Sequence, residues 1–267
     1  MRKYSAILAL VILAACNGND TKIVEDETIK VKPTPVIGYS IVAEYPHDTS
    51  AYTQGLEFHN GKLYEGTGDF TTSSLRITDY KTGKVEKKHM MGTDSIFGEG
   101  ITIFKNKIYQ LTWESNIVYV YDVNNIDKPI KTFKWPYEGW GLTNNGTDLI
   151  ISTGSANLYF VNPDDFRLKS TINVSDNSGP IDSINELEFI DGFVYANIYQ
   201  TDDIIKIDPA SGHVVGKMTL KNLKQTYFPG QVVPRTDVLN GIAYDSVTKK
   251  FLITGKRWPK MFELKLN

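Results

Sequence analysis

From residue 38 to the end of the chain, apolar and polar residues alternate in short runs, and the pattern is written five times. The copies are "TQGLEFHNGKLYEGTG" (53–68), "GEGITIFKNKIYQLTW" (98–113), "GWGLTNNGTDLIISTG" (139–154), "INELEFIDGFVYANIY" (184–199) and "LNGIAYDSVTKKFLITGK" (239–256). Each opens on a small or acidic residue, alternates for several positions, turns and enters a second apolar run. A period of two over such lengths marks a half-buried strand. The predicted turns are Asn60-Gly61, Asn106-Lys107, Asn145-Gly146, Asp191-Gly192 and Asp245-Ser246. Asn-Gly and Asp-Gly pairs supply the positive φ angles that a tight hairpin demands.

In the first four copies a second hairpin follows, marked by Asp79, Asp122, Asn162 and Asp208. With Gly55, Gly100, Gly141, Glu186 and Gly241 aligned, the repeats start 45, 41, 45 and 55 residues apart. Four strands at that spacing make one blade of a β-propeller. The fifth copy carries only about three strands, and the alternating segment "GYSIVAEYP" (38–46) has no partner nearby. It is predicted to join the last blade and close the ring, which removes the free sheet edges. The expectation is an all-β, five-bladed β-propeller over residues 37–267. A β-sandwich or an open array is the alternative packing of the same strands.

The start of the chain follows another pattern. Arg2 and Lys3 precede an apolar run over residues 4–15, shorter than the roughly 20 residues that span a bilayer. Residues 1–16 therefore read as an export signal. Their end, "LAAC", resembles the bacterial lipobox and predicts cleavage before Cys16 and diacylation of its thiol. Plain secretion or a retained signal are the alternatives. Residues 17–36 are polar and charged and cannot bury enough surface to offset ordering entropy, so they read as a flexible tether. The expected location is the bacterial cell envelope, with a lipid-anchored monomer facing the periplasm or the cell surface.

Composition narrows the functions. The chain has 267 residues, 41% of them hydrophobic, and a net charge of −2; with no long basic run it lacks the cationic face that nucleic acid requires. Cys16 is the only cysteine, so no intrachain disulfide forms. His47, His59, His89 and His213 are scattered over turns and loops with no H-E-x-x-H spacing, and neither metal nor cofactor is expected. His47-Asp48 is the pair to watch, as a metal ligand or as a turn bond. "GTGDF" (66–70) lacks the helix and lysine of a phosphate loop. The stretches "FKWPYEGW" (133–140) and "GKRWPKMF" (255–262) either rim a pocket or pack blades, and "KTGKVEKK" (81–88) reads as a solvated outer hairpin.

In a propeller the first strand of each blade lines the axis, so Gln54, Glu99, Trp140, Asn185 and Asn240 are predicted to converge. One carboxylate, three amides and an indole are costly to bury together unless water or a ligand satisfies them. Trp113 and Tyr199 fall at matching places after the second strands, and Lys256 lies close to that level. Together they predict a pocket for a small polar ligand that bears an amide and an amine. Burial beside Trp113 and Trp140 would weaken the acidity of Glu99, and Lys256 would oppose this.

The blocks "YTQGLEF", "YEGTGDF", "SSLR", "FGEGIT", "QLTWE", "GWGLT", "INELEF", "DVLNGIAYD" and "TGKRWPKMFEL" resemble the plant and bacterial type of glutaminyl-peptide cyclotransferase. The resemblance runs from about residue 38 to the C-terminus. It implies the same five-bladed fold and an aminoacyltransferase-class reaction, cyclisation of an N-terminal glutamine to pyroglutamate with loss of ammonia. The implied partners are peptides or proteins that begin with glutamine. The family's proton-transfer acid falls on Glu99 and its pocket residues on Gln54, Trp113, Trp140, Asn185 and Lys256. Tyr52 and Tyr199 stand where phenylalanine and tryptophan are common, which bears on substrate preference. On this reading Glu99 shuttles the proton, and Asn185, with Lys256 or Gln54, donates to the oxygen that gains charge. A non-catalytic surface-tethered propeller that binds peptides or sugars is the other reading; a sugar receptor would not need Glu99 with Lys256.

Overall fold

The structure, a computed structural model, describes residues 32–91, 93–229 and 237–267. The export signal, Cys16 and most of the tether lie outside the described residues.

Five four-stranded antiparallel sheets form the five blades of a β-propeller. An outer strand β1 (Tyr39–Pro46) comes first. Blade 1 holds β2 (Thr53–His59), β3 (Lys62–Thr67), β4 (Ser74–Asp79) and β5 (Lys84–Met90). Blade 2 holds β6 (Gly98–Phe104), β7 (Lys107–Thr112), β8 (Ile117–Asp122) and β9 (Lys131–Lys134). Blade 3 holds β10 (Leu142–Asn144), β11 (Leu149–Ser152), β12 (Asn157–Val161) and β13 (Leu168–Asn173). A two-residue-stranded hairpin, β14 (Ser175–Asp176) and β15 (Gly179–Pro180), leads to blade 4: β16 (Ile184–Ile190), β17 (Phe193–Ile198), β18 (Asp203–Ile207) and β19 (Val214–Thr219). A short helix α1 (Leu223–Tyr227) occupies part of the long connection behind the 55-residue spacing, and blade 5 follows with β20 (Leu239–Asp245), β21 (Lys250–Gly255) and β22 (Lys260–Leu266). Strand β1 pairs with β22 from Tyr39↔Leu266 to Pro46↔Lys260, so the ring closes as the alternation of residues 38–46 predicts.

Turn chemistry explains most hairpins. Asn60 and Gly61, and Asp191 and Gly192, all take positive φ, as two-residue hairpin loops require. Three predicted turns need correction. In blade 2 the turn is Lys105-Asn106, one residue earlier than Asn106-Lys107, with both residues at positive φ. Blades 3 and 5 use longer loops, 145–148 and 246–249, initiated by side-chain caps from Asn145 and Asp245.

Hydrophobic burial is divided among five clusters, one at each junction between neighbouring blades. Leu56, Leu63, Ala243 and Met261 join blades 5 and 1, and Leu75, Ile101, Ile108 and Tyr121 join blades 1 and 2. Equivalent clusters join the remaining pairs. At the axis the inner strands approach so closely that side chains are excluded. A Cβ on Gly100 would lie 2.6 Å from the Leu142 nitrogen, and one on Gly141 would lie 2.0 Å from the Asn185 carbonyl oxygen, distances only glycine avoids.

Blade 4 breaks this series with Glu186. Its carboxylate reaches across the axis, where Oε1 accepts the Leu56 N–H (3.2 Å) and Oε2 the Ile242 N–H (2.8 Å). Glu57 and Glu188 do the same for the Ile103 and Tyr244 N–H groups of adjoining blades, each at 2.8 Å. Inner-strand edges have no further strand to pair with, and these carboxylates supply the missing acceptors.

The domain starts earlier than residue 37. The Pro35 carbonyl accepts the Lys217 N–H, Ile37 donates to the Lys217 carbonyl, and Thr34 Oγ1 donates to Asp176. Residues 34–36, assigned to the tether on composition, thus lie against β14 at Thr34 and along β19 of blade 4 at Pro35 and Val36.

Candidate active site

Bulges at the start of the inner strands create the site. The ladder loses register between Thr53 and Gly55, Gly98 and Ile101, Ile184 and Leu187, and Leu239 and Ile242. In blade 3, β10 begins only at Leu142, after Trp140 and Gly141. A bulge turns a side chain out of the normal alternation. Here it re-aims Gln54, Glu99 and Asn185 into one cavity of about 270 Å³ at that end of the axis, with Trp140 beside them. The cavity is lined by Tyr52, Gln54, Phe97, Glu99, Trp113, Trp140, Asn185, Tyr199 and Lys256.

The floor is polar and connected. Lys256 Nζ donates to Gln54 Oε1 at 2.7 Å, and Gln54 Nε2 donates to Glu99 Oε1 at 3.0 Å. Glu99 and Lys256, 5% and 2% exposed, are therefore coupled through one amide. Burial raises the Glu99 pKa well above the usual glutamate range; Lys256 opposes this and Glu138 adds to it. Burial likewise lowers Lys256 to about 8, against the pull of Glu99 and Asp237. Asn185 lines the same floor, and its buried Oδ1 has no partner among the described residues.

The walls are aromatic. Lys256 Nζ lies 4.6 Å from the Tyr52 ring centre and 5.2 Å from that of Tyr199, close enough for cation–π attraction. Tyr199 packs edge-on against Trp140 at 5.5 Å. Phe97 packs edge-on against Tyr52 and Trp113 at 5.9 and 5.8 Å. The indole N–H groups of Trp113 and Trp140 both donate to Glu138 Oε2, at 2.8 and 2.9 Å.

Of the nine protein side chains expected in the pocket, the cavity brings together eight: Gln54, Glu99, Trp113, Trp140, Asn185, Tyr52, Tyr199 and Lys256. Asn240 does not line it. It is fully buried beneath Gln54, donating to the Thr53 carbonyl at 2.9 Å and to Gln54 Oε1 at 3.3 Å. Its bulge turns it under the floor, because the positive φ of Gly241 and the packing of that residue on Leu56 and Thr53 fix the strand there. Two participants were missed. Phe97 precedes Glu99 by two residues, as Tyr52 precedes Gln54, and Glu138 precedes Trp140 by the same interval. That repeat position was the available signal.

His47 is a buried structural group. Its Nδ1 is 2.7 Å from the Trp258 carbonyl oxygen and its Nε2 is 3.0 Å from Glu65 Oε1. Asp48 accepts from Ser50 and Arg76. Among the described residues no cluster of three His, Cys, Asp or Glu side chains could hold a metal ion. In the two aromatic-basic stretches, Trp135 and Trp258 are buried packing residues, whereas Trp140 and Lys256 line the cavity.

The family model for glutamine cyclotransferase matches residues 8–266. The glutaminyl-peptide cyclotransferase of Arabidopsis thaliana is 39% identical over 229 residues, 85% of this chain and 71% of that protein. The crystal structure of Myxococcus xanthus glutaminyl cyclase superposes with a TM-score of 0.80 at 36% identity, covering 87% of this chain and 98% of the other. With the motifs, the closed five-bladed ring and these likenesses in agreement, the chain belongs to the glutamine cyclotransferase family.

Proposed function

We propose that this protein is a glutaminyl cyclase that converts the N-terminal glutamine of peptides to pyroglutamate and releases ammonia, through Glu99 and without a metal ion. The observation that carries the reading is the buried chain Lys256–Gln54–Glu99 on the floor of an aromatic-walled cavity.

The substrate's α-nitrogen attacks its own γ-carbonyl carbon. One C–N bond forms, the bond to the amide nitrogen breaks, and a five-membered lactam and ammonia result. Both reacting groups belong to one residue, so positioning is partly built into the substrate. What remains is proton transfer. Glu99 takes a proton from the attacking amine and returns it to the departing nitrogen, and its weakened acidity suits both steps. Lys256 and the Asn185 amide stabilise the oxygen that gains charge. The unpartnered Asn185 Oδ1 is an acceptor for a substrate N–H.

The test is ammonia release from a Gln-initiated dipeptide, with and without chelator, beside Glu99→Ala. Turnover that survives chelation and vanishes in the variant is expected; a non-catalytic peptide or sugar receptor would release none. The lipid anchor belongs to the same proposal. Cys16→Ser should abolish incorporation of labelled fatty acid and move the protein from the membrane to the soluble fraction.

A further inference from the structure

Glu138 is exposed, belongs to no ion pair among the described residues, and is bonded to two indoles that line the cavity from different blades. Its Oε2 accepts the indole N–H of Trp113 from blade 2 and of Trp140 from blade 3, so one oxygen sets the positions of two walls. Its Oε1 accepts nothing from the described residues. The cations near the cavity are otherwise engaged: Arg257, over the Tyr52 ring, pairs with Asp69 at 2.6 Å, and Lys256 donates to Gln54. In blades 1 and 2 the equivalent place, two residues before the ring position, holds Tyr52 and Phe97, which line the cavity as aromatic rings. Blade 3 alone of these three places a carboxylate there.

The cavity, about 270 Å³, falls just below the size range of drug-sized ligand sites. A space of that size suits a single residue, so the residue that follows would sit at the rim, where Trp113 and Trp140 are tied to Glu138. We propose that Glu138 is a specificity-determining residue: its free oxygen faces the substrate residue that follows the N-terminal glutamine and favours a cationic side chain there, while its other oxygen positions Trp113 and Trp140. This rests on the cyclase reading above.

A rim charge acts through water, so the preference is modest and sensitive to salt. Exposed pairs of this kind correspond to about two- to fivefold in an equilibrium or specificity ratio. At about 1 M salt the screening length falls to about 3 Å and the preference disappears.

The experiment compares kcat/KM for three C-terminally amidated tripeptides, Gln-Arg-Ala, Gln-Ala-Ala and Gln-Glu-Ala, at low salt and in 1 M NaCl. The wild type should rank them Arg, Ala, Glu at low salt and lose the ranking in high salt. Glu138→Gln keeps an acceptor oxygen for the indoles and removes the charge, so the Arg-to-Glu ratio should collapse toward one. Glu138→Ala removes both functions. It should also raise KM for all three peptides and shift tryptophan emission, which Glu138→Gln should leave near its wild-type wavelength. A ratio near one in the wild type, or an unchanged ratio in Glu138→Gln, overturns the proposal. A wild type that cyclises none of the three overturns the cyclase reading itself, which is a separate outcome.

Discussion

Glu99 and Glu186 are both glutamates of inner strands, both are buried, and burial weakens the acidity of both. They differ in what their oxygens meet. Each oxygen of Glu186 accepts a backbone N–H of another blade, so both are engaged in holding the ring. Glu99 accepts one side-chain amide and faces a cavity, with a lysine coupled to it through that amide. A shifted pKa therefore does not mark a catalytic group by itself; the role proposed for Glu99 rests on its open oxygen and the cavity beside it.

The largest effect that would sharpen this contrast is on chemistry. Glu99→Gln should reduce kcat by about 10²- to 10⁴-fold and leave thermal unfolding little changed, as measured by ammonia release and by circular dichroism. The wild-type rate should rise with pH as Glu99 loses its proton, at a pH above the usual glutamate range. It should fall again above about pH 8 as Lys256 becomes neutral. A rate independent of pH from 5 to 9 would end the assignment.

Glu186→Ala should do the reverse. It strands the Leu56 and Ile242 N–H groups at the axis, and each unpaired buried donor costs about 1–3 kcal/mol. Denaturant unfolding should show the loss, while turnover per folded molecule persists. If the variant kept full stability and lost activity, the division of labour between the two glutamates would be wrong.

A smaller effect appears in the pH dependence of stability. Burial raises Glu57, Glu186 and Glu188, so the folded state holds their protons more firmly than the unfolded chain does. Their contribution is complete below the ordinary glutamate value of 4.5 and declines as pH rises through the elevated folded values. His47, raised chiefly by Glu65 against the opposing effect of burial, adds a contribution that is lost above its ordinary 6.5. Glu65 is lowered, by His47 above all, and its contribution is lost only on acidification. The melting temperature should therefore peak on the acid side of neutrality and fall toward pH 9. Glu57→Gln should flatten that fall; an equally steep decline in the variant would remove Glu57 from the account.

Much of this was legible in the chain because a propeller repeats its pattern. The period of two, the turn residues and the spacing of the glycines fixed the blade count, and the unpaired segment 38–46 announced the closure. The pocket was legible for the same reason, since equivalent positions converge on an axis. The departures come from features that one-residue periodicity does not carry. A bulge decides whether a ring residue points into the cavity, as Gln54 does, or beneath it, as Asn240 does. Glu186 stood in the aligned column of glycines, yet its reach to two other blades depends on ring geometry. Glu138 and Phe97 lie two residues before the ring positions, outside the column that the alignment of repeats picks out, and the edge pairing of residues 34–36 is hidden by a polar composition that suits a tether.

Asn240 supplies the subtlest break in the comparison, because it serves the floor of the candidate site from a structural position. Gln54 must present its nitrogen to Glu99 and its oxygen to Lys256, and the reverse orientation would set N–H groups against an ammonium. Asn240 Nδ2 donates to the same Gln54 oxygen while anchored to the Thr53 carbonyl, so it favours the productive orientation of that amide. Asn240→Ala removes one such hydrogen bond, a net contribution of about 0.5–1.5 kcal/mol, and should reduce kcat/KM by roughly two- to tenfold. Asn240→Ser retains a donor for the site and should recover part of the loss. The informative measurement is the alkaline limb. With Gln54 free to turn over, Lys256 loses its acceptor, and its deprotonation should move below about pH 8. An alkaline limb unmoved in Asn240→Ala would mean that Gln54 is held by Lys256 and Glu99 alone.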